Sequence, residues 1–111
     1  MSLGYRFHPL AAEQQVRIWR DTFERWGEAQ ADRYIDGLHA ALARVAGDRG
    51  WPGVRSVPAA AAPNVKFFHY GRHYVFFREE EPTAGGLLLV LTILHDRMDI
   101  PRRLGEELRR L

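Results

Sequence analysis

The spacing of apolar residues changes character along this chain, and each change marks an element. Tyr5-Arg6-Phe7-His8 alternates apolar and polar residues, the period of a short strand. Pro9 follows, suited to the first helical position, where its missing N–H is not needed. Beyond it Val16, Trp19, Phe23 and Trp26 recur at intervals of three, four and three, which predicts a helix with these residues as its core face. Gly27 is the expected stop. Ala31, Tyr34, Ile35, Leu38, Leu42 and Val45 form the stripe of a second helix, from about residue 28 to 46 and ended by Gly47. Gly37 within it costs about 1 kcal/mol of helix propensity relative to Ala, so this helix depends on packing. So short a link predicts an antiparallel helical hairpin.

Residues 48–64 read as a linker holding Gly50, Pro52, Gly53, Pro58 and Pro63 around the tract Ala59-Ala60-Ala61-Ala62. Two prolines so close argue against an ordered helix there, and a loop of this length in a small domain is often functional. The period then returns to that of strands at residues 65–70, 73–78 and 87–94, rich in aromatic and β-branched residues. Gly71-Arg72 predicts a tight hairpin turn, and residues 79–86 the next one, with Glu79-Glu80-Glu81 as a solvated strand end. The last strand is apolar on both faces and is expected inside the sheet. Asp99 can cap a short final helix that presents Leu104, Leu108 and Leu111 on one face. A helical hairpin followed by a run of strands predicts an α+β fold with an antiparallel sheet.

Both faces of the hairpin strands are apolar. Val65, Phe67 and His69 alternate with Lys66, Phe68 and Tyr70, and Tyr74 and Phe76 with Val75 and Phe77. Two helices cover only one face of a small sheet. Either the final helix folds back over the second face, or an apolar groove is left open, which marks an interaction site. Trp51 either packs over the helical hairpin or anchors a partner.

Length and composition narrow the classes. At 111 residues, 46% of them hydrophobic, the chain is expected to be a single domain over 4–111, with Met1-Ser2-Leu3 a cloning remnant. It has no cysteine, hence no disulfide framework and no thiolate metal site, which agrees with a reducing cytoplasm. No apolar run is long enough to span a membrane and no signal peptide is expected. A net charge of +2 is too small to argue for direct, sequence-specific nucleic-acid binding. His69 and His73 lie either side of the Gly71-Arg72 turn and are expected to face each other near the hairpin end, without an obvious third ligand. No metal and no cofactor is therefore expected.

Three segments in order resemble one family. Tyr5-Arg6-Phe7-His8-Pro9-Leu10-Ala11-Ala12 resembles its opening strand and Pro-x-Ala helix start, with His8 where Ser or Thr is usual and capping more weakly. Residues 65–78 are similar to its central hairpin. The tail Ile93-Leu94-His95-Asp96-Arg97-Met98-Asp99-Ile100-Pro101-Arg102 is similar to the C-terminal signature of ParE-type toxins, a branch of the RelE/ParE superfamily. The resemblance implies a RelE/ParE-like fold: N-terminal strand, α-helical hairpin, three-stranded antiparallel meander and short C-terminal helix.

It also implies the toxin of a type II toxin–antitoxin pair, which catalyses nothing, inhibits DNA gyrase and is neutralised by a cognate ParD-like antitoxin. Arg97, Met98, Arg102 and Arg103 are then the expected gyrase contacts, a soft apolar side chain among guanidinium forks. Phe68, Tyr70, Tyr74 and Phe76 are the expected antitoxin contacts. The alternative is the superfamily's ribosome-dependent mRNA endoribonuclease, in which Arg55, Lys66 and Arg78 would clamp phosphate and His95 would move a proton. A third reading is an inactive antitoxin-binding module.

Overall fold

The computed structural model describes residues 4–48, 50–80 and 87–111. In chain order it has β1 (Tyr5–Phe7), α1 (Pro9–Trp26), α2 (Glu28–Gly47), β2 (Arg55–Ser56), β3 (Lys66–Tyr70), β4 (His73–Glu79), β5 (Leu88–His95) and α3 (Ile100–Arg109). The fold is α+β, as expected, but the sheet is five-stranded and mixed, in the order β1-β5-β4-β3-β2. β3, β4 and β5 pair antiparallel, while β1 joins β5 in parallel, Tyr5 opposite Leu88 and Phe7 opposite Val90. Beyond β1 the backbone continues the pairing, His8 N–H donating to the Val90 carbonyl at 2.8 Å. β5 is thus flanked on both sides, and its run from Leu88 to Leu94 is buried throughout. The two-residue β2 adds to the edge of β3 from within the expected linker, whose Pro58 to Ala62 stretch makes a turn and buries Val57 and Ala62.

Each helix start is secured locally. His8 caps α1, its Nδ1 accepting the Leu10 N–H at 3.1 Å, and Asp99 caps α3 by accepting from the Arg102 N–H at 3.4 Å. Gly27, at φ +90°, ends α1 and starts α2. Gly37 is the helix-weakening residue for a reason visible in space. A Cβ there would stand 2.1 Å from the Tyr70 hydroxyl, which donates to the Tyr34 carbonyl at 2.9 Å. The glycine lets β3 and α2 approach at this point.

The helical hairpin lies on one sheet face. Leu38, Leu42 and Val45 of α2 and Ala11 of α1 pack there with Phe68, Val75, Phe77, Leu88, Val90 and Ile93. The expected core face of α1 is corrected by this packing. Val16, Phe23 and Trp26 are 53%, 44% and 70% exposed, and Trp19 is only half-buried, its Nε1 donating to Asp32 at 2.9 Å. Leu10 and Ala11 are the buried residues of α1, with Ile18 packed against the same cluster. α1 carries two apolar stripes on roughly opposite sides. The sheet takes the one with smaller residues, because the helix also sends Gln14 into β5.

That glutamine serves a break in the ladder. Between Phe76 and Phe77 the register slips, Phe76 opposing Thr92 and Phe77 opposing Val90. At this bulge the Ile93 N–H donates to Gln14 Oε1 at 2.7 Å, and Gln14 also exchanges hydrogen bonds with the fully buried Thr92 hydroxyl. Without it these groups would be buried unsatisfied, at about 1–3 kcal/mol each. The bulge also shifts side-chain parity. Leu89 and Leu91 face away from the helical hairpin, but beyond the slip it is Leu94 that does so, while Ile93 turns toward it. Plain alternation along β5 would put Leu91, Ile93 and His95 on one face; the slip separates Leu91 from Ile93.

Candidate functional site: an apolar groove and the turn beside it

The second sheet face is covered in part. α3 folds back on it, placing Leu104 with Phe76, Leu89, Leu91 and Leu94, and Val57, Ala62 and Val65 close the other side. Between α3 and the 57–61 segment a groove of about 470 Å³ remains open. Phe67, Tyr74 and Phe76 form its floor, Val57, Pro58 and Ala61 one wall, and Ile100, Leu104 and Leu108 the other. The floor is a continuous aromatic surface, with Phe67 5.4 Å from Phe76 and 5.9 Å from Tyr74 between ring centroids. A groove of this size and apolarity accepts apolar side chains of a partner or ligand.

The four expected antitoxin contacts do not share this groove. Residues directly opposite in an antiparallel pair project to the same side, and Phe68 opposes Val75 whereas Phe67 opposes Phe76. Phe68 is therefore fully buried beneath the helical hairpin, with Tyr70 beside it against α2. Only Tyr74 and Phe76 line the groove, and Phe67 is the residue to add.

At the end of the sheet a polar cluster ties two turns together. Asp96, in the turn after β5, accepts from His69 Nε2 at 3.2 Å and lies 3.5 Å from His95 Nδ1, and its own N–H donates to the Arg72 carbonyl at 2.8 Å. His95 Nδ1 accepts the Arg97 N–H at 3.1 Å, so this ring is built into the turn. On the helical side, the Tyr34 hydroxyl accepts the Arg72 N–H at 3.0 Å and meets His73 Nδ1 at 2.7 Å. His69 and His73 do not face each other, as the spacing had implied. Their cross-strand partners are Tyr74 and Tyr70, which puts them on opposite faces. Among the described residues no group of three or more His, Asp or Glu side chains is disposed to hold a metal.

Burial pushes the Tyr34 phenol up and pushes His73 down to about 4, with the nearby His95 adding to the second shift and Asp96 opposing it. Because the folded-state value lies below the unfolded one near 6.5, the folded chain binds fewer protons. His73 then contributes stability in full above about pH 6.5 and loses it as pH falls toward 4. Solvent still reaches part of the ring, so about 1–2 kcal/mol is expected over that window. Urea titrations at pH 7 and 4.5 on the parent and on His73→Gln test this: the variant should lose less on acidification, and parallel pH curves would refute it.

The four residues of the nuclease alternative are not brought together. Arg78 opposes Leu89 and His73 opposes His95, so Arg78 and His95 stand five strand positions apart, about 17 Å. Arg55 lies on the edge strand β2 and Lys66 on its neighbour β3, with Lys66 4.0 Å from Glu79. The acidic strand end is likewise not simply solvated. Glu80 receives Arg6 Nε at 2.9 Å and Nη2 alongside, which holds its carboxyl below the usual range, while residues 81–86 of the expected turn lie outside the described residues. In the tail, Arg97, Met98 and Arg102 are exposed. Arg103 instead pairs at 3.3 Å with the buried Glu107, which Arg110 meets from the other side. Trp51 packs against the core under the helical hairpin, 6.4 Å from Phe68, with the Arg44 guanidinium 5.7 Å from its ring centre.

Residues 5–100 match the model of a family described as the ParE toxin of the type II toxin–antitoxin system parDE. The chain is 33% identical over 104 residues to Toxin ParE1 of Mycobacterium tuberculosis, covering 94% of this chain and all of that protein. It is 37% identical over 99 residues to Toxin ParE of Escherichia coli, covering 88% of this chain and 90% of that one. An opening strand, a helical hairpin, an aromatic β-hairpin and the tail from His95 to Ile100 all fall within the matched span, and the chain belongs to the ParE toxin family of type II toxin–antitoxin systems.

Proposed function

We propose that this toxin inhibits DNA gyrase by binding it, and that a ParD-like antitoxin neutralises the toxin through the apolar groove. The observation that carries the reading is the dispersal of the nuclease set. RNA cleavage needs a base, an acid and cations around one phosphate within hydrogen-bond reach. Here His95 is engaged by the Arg97 N–H and stands far along the sheet from Arg78. What is gathered instead is surface suited to binding. The groove offers Phe67, Tyr74, Phe76, Leu104 and Leu108 to apolar side chains of a helical or extended antitoxin segment. The turn beside it and the first turn of α3 present Arg97, Met98 and Arg102 to solvent, with Met98 39% exposed. Arg102 lies 3.9 Å from Asp99, a loose pair that a stronger acidic partner can displace. Arg103, held by Glu107, is assigned to folding and not to target contact.

In this reading the toxin makes and breaks no bonds. It holds gyrase in its DNA-cleaved state and so blocks replication. The test is a supercoiling assay with antitoxin-free protein, scoring linear DNA on the same gel. Inhibition with accumulated linear DNA is expected. Met98→Ala combined with Arg102→Ala should raise the inhibitory concentration by about 10- to 100-fold without lowering the melting temperature, since both side chains are exposed. An unaffected gyrase, with mRNA cut on ribosomes in the same preparation, would overturn the proposal.

A further inference from the structure

The outward face of α1 takes no part in the groove, which lies on the other side of the sheet. It carries Val16, Trp19, Phe23 and Trp26 in one line, and Trp26 is 70% exposed. The stripe is rigid. Trp19 and Phe23 are stacked, with centroids 5.2 Å apart and planes 20° from parallel, and the Trp19–Asp32 hydrogen bond fixes the indole. Three large apolar side chains held exposed on an 18-residue helix that needs none of them for its own packing mark a contact surface.

The charges beside the stripe indicate what covers it. At 100° per residue, Glu13, Arg17, Arg20 and Glu24 run along the flank away from α2, in the order acid, base, base, acid. None of these four forms an ion pair among the described residues. A two-fold axis that pairs two α1 helices antiparallel brings the same flank of each copy together in reversed order. The register that sets Trp19 against Phe23 of the second copy, and Val16 against Trp26, also sets Arg17 within one residue of Glu24 of the second copy, while the two Arg20 residues come nearest the axis, each four residues from the Glu24 of its own helix. The symmetry makes that contact twice. We infer that the α1 face binds a second copy of this chain, through an antiparallel α1–α1 contact with a central aromatic cluster and reciprocal Arg17–Glu24 pairs.

An interface built on one helix about 27 Å long falls at the small end of specific interfaces, so the dimer dissociates on dilution. Sedimentation velocity of the antitoxin-free full chain, from about 1 to 200 µM, is expected to show a monomer giving way to a dimer. Trp26→Glu should leave a monomer at every concentration, with its circular dichroism melt unchanged because the residue is exposed. Arg17→Glu and Glu24→Arg should each weaken the dimer by about 3- to 10-fold, and the two together should restore it, because the swapped charges meet again across the axis. A chain that stays monomeric throughout overturns the inference. So does a dimer indifferent to Trp26→Glu, or a double swap no better than either single change. Protection of α1 from hydrogen exchange only when an antitoxin is added would give the face to that partner instead. None of these readouts involves gyrase, so the inference stands or falls apart from the proposed target.

Discussion

Gly71→Ala is expected to destabilise the chain by about 3–4 kcal/mol, lowering the melting temperature by more than about 10 °C. Gly71 sits at φ +58° in the turn between β3 and β4, where an L-residue costs about 1–2 kcal/mol. The space is also taken. A Cβ would stand 2.4 Å from the Tyr34 hydroxyl oxygen and 2.7 and 2.9 Å from two ring carbons. The ring cannot swing aside without cost. Its hydroxyl receives the Arg72 N–H, donates toward the Tyr70 carbonyl at 3.3 Å and meets His73 at 2.7 Å. Overpacking of this kind typically adds about 1–3 kcal/mol, against a total stability near 5–15 kcal/mol for a domain of this size. Gly47→Ala is the control, with nothing within 4 Å of its added Cβ at the end of α2. It should be neutral or stabilising by up to about 1 kcal/mol. Denaturant titrations that rank the two substitutions alike would refute the steric argument. Tyr34→Phe should not rescue Gly71→Ala, because the ring carbon at 2.7 Å remains.

The same turn shows which parts of the fold residue order makes legible. Gly71-Arg72 between two aromatic runs announces a hairpin, because only a tight turn fits there. The α2 stripe is equally plain, since Ala31, Leu38, Leu42 and Val45 are its only continuous apolar face and all are buried. α1 is misread because periodicity finds a face but not its direction. The stripe of Val16, Trp19, Phe23 and Trp26 competes with the smaller one of Leu10, Ala11 and Ile18, and Gln14, a polar residue without periodic signal, settles the orientation by bonding into β5. Side-chain parity along β3 and β4 can be read one strand at a time. Which residues share a face depends on the turn that sets Tyr70 opposite His73 and on the slip after Phe76. That is why Phe68 stood for Phe67 among the expected contacts. Two-residue β2 and the parallel entry of β1 leave no pattern, because a long connection decides them. The tail is the clearest functional signal in the sequence, yet its order conceals a division of labour. His95 and Asp96 build the turn, and Met98 and Arg102 are what it exposes.

If the groove takes the antitoxin and the exposed tail residues take gyrase, as proposed, the two functions are separable. Tyr74→Ala is expected to weaken antitoxin binding by about 30- to 100-fold while leaving gyrase inhibition within about threefold of the parent. Tyr74 is half-buried in the groove floor, its ring 5.9 Å from Phe67 and 4.9 Å from His69, and its removal opens the centre of the aromatic surface. Aromatic residues at the centre of an apolar contact are those whose truncation costs about 2 kcal/mol or more. Leu108→Ala, on the α3 wall, should act in the same direction and less strongly, because its loss widens the groove at one edge only. The Met98 and Arg102 variant should show the converse, full affinity for antitoxin and weakened inhibition. Calorimetric titration with the cognate antitoxin, run beside the supercoiling assay, measures both quantities on each variant. In cells the Tyr74 variant should then be toxic even when its antitoxin is co-expressed, since it still poisons the target but escapes neutralisation. Equal losses in both assays would mean that groove and tail form one surface. A Tyr74 variant bound as tightly as the parent would remove the groove from the antitoxin interface altogether.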